Sequence, residues 1–175
     1  MSLQASPSTA LDAQASARQL LDADIARPEP DAFQGHGFII DNLGFLLPAN
    51  LACEVMDQLQ LCPLPGTAGW LLGMTHLRGR ILPVFDLRKL LLGNSAANRV
   101  QRYLFIDPLN QGFALGIGSL PFRLNLQEHQ RLQRSTGVPE ILLPHCRNLF
   151  HQDRVWIELD YKSFFRQQTQ GLLSA

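Results

Sequence analysis

The chain has 175 residues, 46% of them apolar, and its 15 basic residues balance 15 acidic ones to a formal charge of zero. That length and composition fit one domain with a core of ordinary size, and a neutral chain lacks the electropositive field of a nucleic-acid binder. Cys53, Cys62 and Cys146 form an odd set without C-x-x-C spacing, which speaks against a disulfide framework and against zinc and predicts reduced, buried thiols.

The start of the chain shows no basic stretch leading into an apolar one, and no apolar run reaches the roughly 18 residues of a membrane span; a cytoplasmic location is the expectation. Charge is unevenly placed. Residues 1–35 hold five acids and two arginines, 36–77 hold three acids and no Lys or Arg, and 78–102 hold six basic residues against Asp86 alone. Segregation of this kind predicts recognition of a charged patch on another protein rather than of a long polyanion.

Residues 1–35 are rich in Ala, Ser, Gln and Asp. Leu11, Leu20, Leu21 and Ile25 supply one thin helical face between a Ser8-Thr9 cap and the stop at Pro28 and Pro30. Such a face buries too little to hold a core, so the segment reads as a flexible or weakly helical extension. From His36 the pattern turns to strands. The run 37–50, "GFIIDNLGFLLPAN", sets Asp41, Asn42, Leu43 and Gly44 between two apolar stretches and predicts a hairpin. The run 103–117, "YLFIDPLNQGFALGI", repeats the design with Asp107-Pro108 and Asn110-Gln111-Gly112 in the turn. "VWIELDY", 155–161, adds a strand with Val155, Ile157 and Leu159 on one face and Trp156 and Glu158 on the other.

Helix is scarce. After the strand "ILPVFDL", Asp86 caps a short helix through "LRKLLL", and Gly93 ends it. A second helix runs from Asp160 through "YKSFFRQQTQ" to Gly171, with Phe164 and Phe165 available to dock on the sheets. Short strands, Gly/Pro punctuation and little helix predict a mainly β, barrel-like fold, because closure removes aggregation-prone edges.

Most candidate chemistry has a plainer reading. His145, Cys146 and His151 lack the fourth ligand that structural zinc needs, so packing and surface positions account for them. "GFALGIG", 112–118, lacks the Gly-Lys-Ser/Thr ending of a phosphate loop and reads as a barrel strand with small residues. No Gly-x-Ser-x-Gly elbow occurs, and Ser119 is the nearest hydroxyl to one. Binding of single-stranded nucleic acid needs aromatics stacked along a basic groove, and only Tyr103 and Phe105 follow the basic stretch closely. A β-barrel enzyme or small-ligand binder remains the competing class, and would show a deep pocket with convergent polar groups and a perturbed titrating residue.

Arg78-Gly79-Arg80 is less easily absorbed. Gly79 permits a tight turn, with the next strand beginning at Ile81. Two readings of the arginines stand: solvated loop charges, or a planar fork for carboxylates and backbone carbonyls. Pro83 cannot donate to a ladder and so predicts an edge strand or a bulge, which beside outward arginines makes a docking site.

Residues 53–93 resemble the CheW-like family of chemosensory coupling proteins. The likeness lies in Glu54-Val55, "PLPG" at 63–66, Gly73, Arg78-Gly79, "ILPVFDL" at 81–87 and Gly93, in that order, and extends more weakly from His36 to Arg166. Trp70, "RGRILPV" and the amino-terminal extension narrow it to PilI-type members, which serve systems controlling type IV pili. The resemblance implies two five-stranded SH3-like β-barrels sharing a hydrophobic interface, with a few short helices. The domain would occupy residues 36–166, between the 1–35 extension and a C-terminal tail at 167–175. No catalytic activity, cofactor or metal is implied; the role is that of a scaffold bridging a methyl-accepting chemotaxis receptor and the regulatory domain of a CheA-type histidine kinase.

Carried onto this sequence, the resemblance makes Arg78 the partner-facing arginine, presented by Gly79 and flanked by Arg80 and His76. Glu54 is exposed for contact while Val55 packs; Pro63 to Gly66 are architectural; Leu82, Val84 and Phe85 belong to the core. His76 stands where relatives commonly have Asn, which implies a pH-sensitive contact or a satisfied turn histidine. "GIGSLPFRLNL" replaces the Asp-x-Val that many relatives carry after the Gly-rich strand, which changes the surface of the second half.

Overall fold

The computed structural model describes residues 31–93, 100–110, 112–134 and 136–173; the helix expected between Ser8 and Pro28 lies outside them. Strand β1 (Asp31–Ile40) pairs antiparallel with β2 (Leu43–Pro48) around a two-residue turn. Residues 31–35, read from sequence as the end of the extension, are therefore strand. Ile40 pairs with Leu43, so Leu43 and Gly44 belong to β2 and not to the turn. Asp41 supplies a positive φ, 57°, in the turn. Gly44 meets a different need: a Cβ there would lie 2.2 Å from the Trp156 ring.

The middle of the chain forms a six-stranded sheet. Its strands are β3 (Cys53–Met56), β4 (Leu61–Cys62), β5 (Leu71–Leu77), β6 (Arg80–Phe85), β7 (Arg102–Ile106) and β8 (Phe113–Ile117), in the order β3-β7-β8-β6-β5-β4. The chain then returns to the first sheet with β9 (Phe122–Gln127), β10 (Cys146–His151) and β11 (Val155–Leu159), giving the order β10-β11-β2-β1-β9.

The mainly β expectation is met, but the two sheets have five and six strands and neither closes its hydrogen bonding into a barrel. Both nevertheless wrap. Strands β3 and β4 are opposite margins of the larger sheet, yet only residues 57–60 separate them, a connection of roughly 19 Å at full stretch. The margins are short, four residues in β3 and two in β4, and no ladder joins them. In the smaller sheet a single bridge, Arg131 to Phe150, reaches β10 from the segment after β9, where a 3-10 turn (Glu128–Gln130) has already diverted the chain.

Wrapping covers both faces of the strands. Phe38, Phe45, Leu47, Phe85, Leu104, Leu115 and Ile157 meet in a core between the sheets. On the other face of the larger sheet lie Leu82, Val84, Phe105 and Ala114, and on that of the smaller one Phe33, Leu46, Leu126, Phe150 and Trp156. Hence all of "FALGI" in β8 is buried, with no phosphate-loop geometry. Trp156, assigned by alternation to the face opposite Ile157, fills the second cluster of its sheet.

Two helices complete the described structure. In α1 (Leu87–Leu92) the Asp86 carboxylate accepts the Lys89 N–H at 3.0 Å, and Gly93 closes the helix at φ 88°, its N–H donating to the Lys89 carbonyl. Helix α2 (Tyr161–Leu173) starts on Asp160, which accepts the Ser163 N–H, and continues through most of the expected C-terminal tail. Phe164 and Phe165 enter the inter-sheet core; the Phe165 ring stacks 4.4 Å from Phe85 and lies 4.7 Å from Phe113. Burial of such a ring contributes roughly 2–3 kcal/mol. The cysteines depart from expectation: Cys53 and Cys62 are exposed and Cys146 half-buried.

Candidate docking surface

Strands β5 and β6 pair down to Leu77 and Arg80, leaving Arg78 and Gly79 as a two-residue connection. Both have positive φ, 50° and 81°, the pattern of a type I′ turn, whose twist matches that of the flanking strands. Gly79 takes this conformation freely, and a Cβ there would meet only open space. An L-residue such as Arg78 takes it at a cost of about 1 kcal/mol. Strain of that size, held by a paired hairpin, is a recurrent mark of functional positions.

The Arg78 guanidinium straddles the Glu54 carboxylate, with Nη2 3.0 Å from both Oε1 and Oε2. The two candidate residues lie 24 positions apart in sequence and on opposite sides of β7 and β8 in the sheet; wrapping brings them together. The arginine side chain is 59% exposed and the glutamate 31%, so the pair contributes no more than about 1 kcal/mol to folding.

The uneven charge of the sequence has a largely internal destination. All three acids of residues 36–77 pair with arginines of 78–102: Glu54 with Arg78, Asp57 with Arg102 at 2.7 Å, and Asp41 with Arg88 at 3.6 Å. Segregation along the chain is therefore, in large part, complementarity between elements of the fold. Asp57 and Arg102 were not singled out from sequence, although the same segregation carried their signal. Arg80 is exposed and makes no ion pair among the described residues.

His76 is exposed on β5, directly across from Ile81, which is 70% exposed. Pro83 does not mark an edge strand, since β6 lies between β8 and β5. The ladder to β8 involves only Val84 and Phe85, so Pro83 stands just before it and its missing N–H leaves no gap. Leu82, Val84 and Phe85 are buried. Beside Glu54, the half-buried Val55 and the exposed Leu120 help line an apolar groove of about 330 Å³ that also includes His36, Leu51, Cys53 and Pro121. The "PLPG" segment faces solvent; Gly73 lets it lie close, because a Cβ there would be 2.3 Å from the Cys62 carbonyl oxygen.

His145 is a buried structural link. Its Nδ1 lies 3.0 Å from the Ser163 hydroxyl and its Nε2 meets the Gln167 carbonyl oxygen, tying the 3-10 helix Glu140–His145 to α2. His151 is exposed, and the Cys146 thiol donates to the Leu142 carbonyl at 3.2 Å. Among the described residues, no three His, Cys, Asp or Glu side chains are grouped to hold a metal ion. Cys53 is exposed as a whole residue, but its thiol is partly withdrawn from water where the residue lines the groove, and that desolvation, helped by the Asp107 carboxylate, pushes it up to about 11; burial also raises Cys146; neither is an activated nucleophile.

The two wrapped sheets hold Arg78 outward on a left-handed turn, paired only loosely with Glu54. The CheW-like domain family matches residues 34–169, and the chain belongs to that family. It is, accordingly, a non-enzymatic signalling adaptor of the chemotaxis and pilus kind. Protein PilI of Pseudomonas aeruginosa is 25% identical over 143 residues, 81% of this chain and 79% of that protein. Protein FrzA of Myxococcus xanthus is 35% identical over 81 residues, 46% of this chain and 49% of FrzA. The crystal structure of the scaffolding protein TtCheW from Thermoanaerobacter tengcongensis superposes with a TM-score of 0.60 at 19% identity, covering 76% of this chain and 92% of that one, a likeness of fold. No helix among the described residues is long and apolar enough to cross a membrane.

Proposed function

We propose that this adaptor couples a methyl-accepting chemoreceptor to the regulatory domain of a CheA-type histidine kinase in the cytoplasm, in a pathway controlling type IV pili. Partners dock on the β5–β6 turn, through Arg78, Gly79 and Arg80, with Glu54 and His76 at its flanks. The observation that carries this reading is the strained, exposed Arg78 held by a half-exposed carboxylate. A guanidinium in that position keeps donors free for a partner's carboxylate or carbonyl oxygens. Because the Glu54 contact is weak, exchanging it for a partner contact costs little. Similarity to PilI along most of both chains supports the pilus branch of the family.

A coupler needs two contacts used together, and each can be modest, since a micromolar contact corresponds to about −8 kcal/mol. The test is a pull-down from extract of the source cell with the intact protein and with Arg78→Ala. Recovery of a histidine kinase or a receptor with the intact form, and loss of at least one of them with the variant, is the expected result. Equal recovery of both by a folded variant would remove the turn from the docking surface.

A further inference from the structure

We draw no further inference here: the strongest candidate, the cleft of about 620 Å³ between the β1–β2 turn, the start of α1 and the end of β8, holds a buried nitrogen without a hydrogen-bond partner, Arg88 Nε, but nothing in the structure shows what covers it.

Discussion

The β5–β6 and β7–β8 tips belong to one sheet, and each places a charged residue at positive φ, Arg78 at 50° and Asp107 at 48°. Each charge is then paired with a residue from a different element: Arg78 with Glu54 on β3, Asp107 with Lys162 on α2. The surroundings differ. The Asp107 side chain is 14% exposed, its backbone N–H donates to the Ala52 carbonyl at 2.7 Å, and Asn110 donates to it through both side chain and backbone. Among the described residues Arg78 has one carboxylate partner, Glu54, and it is mostly in water. One tip is fastened to the rest of the fold by two contacts, Lys162 and Ala52, and braced within by Asn110, whereas the other stands out from it. The lesson is that an ion pair at a strained turn can be a fastening of the fold or a group left open to a partner, and the surrounding cover distinguishes the two.

That contrast can be broken most forcefully through α2. Phe165→Ala removes the ring packed on Phe85 and Phe113 and should cost about 3–5 kcal/mol in urea unfolding, because it unseats the helix that carries Lys162. Asp107→Asn should cost about 1–2 kcal/mol in the same measurement. Its pH signature has a definite sign. The hydrogen bond from Lys162 holds the Asp107 carboxyl below its ordinary value. The stability this provides is present above the unfolded value of about 3.9 and is lost as pH falls through the lower folded value. Asp107→Asn should therefore flatten the acid limb of stability against pH.

Smaller effects belong to the exposed tip. Gly79→Ala places a Cβ at φ 81° in open space, so it should cost only the backbone term, about 1 kcal/mol. Arg78→Gly relieves a comparable strain, gives up a weak pair and adds unfolded-state freedom; thermal unfolding should find the net change within about 1 kcal/mol of zero. A larger loss would mean that Arg78, like Asp107, is a fastening of the fold.

What the sequence made legible follows the range of the interactions involved. The hairpins at Asp41 and Asp107, the Asp86 cap and the stop at Gly93 depend on neighbouring residues and were readable. The burial of Phe164 and Phe165 followed from a mainly polar helix whose two adjacent aromatic rings needed a core to dock on. Sheet order was not readable, because β6 pairs with β8 in parallel through only two residues, and Pro83 gave no means of distinguishing an edge from the residue before a ladder. The role of Gly44 depends on Trp156, more than a hundred positions away. The proposed docking turn was legible as an Arg-Gly-Arg step and a family motif. That Arg78, rather than Gly79 alone, would occupy the left-handed region was not, nor was its pairing with Glu54, which requires the wrapping of the whole sheet.

The most direct test of the presented arginine is a titration of the CheA-type kinase regulatory domain from the source cell against the intact chain and against Arg78→Gly, with unfolding of both followed in the same buffer. The account predicts equal stability within about 1 kcal/mol and binding weakened at least about tenfold, equivalent to about 1.4 kcal/mol. Unchanged affinity in a fully folded variant, with the receptor contact also intact, would contradict it.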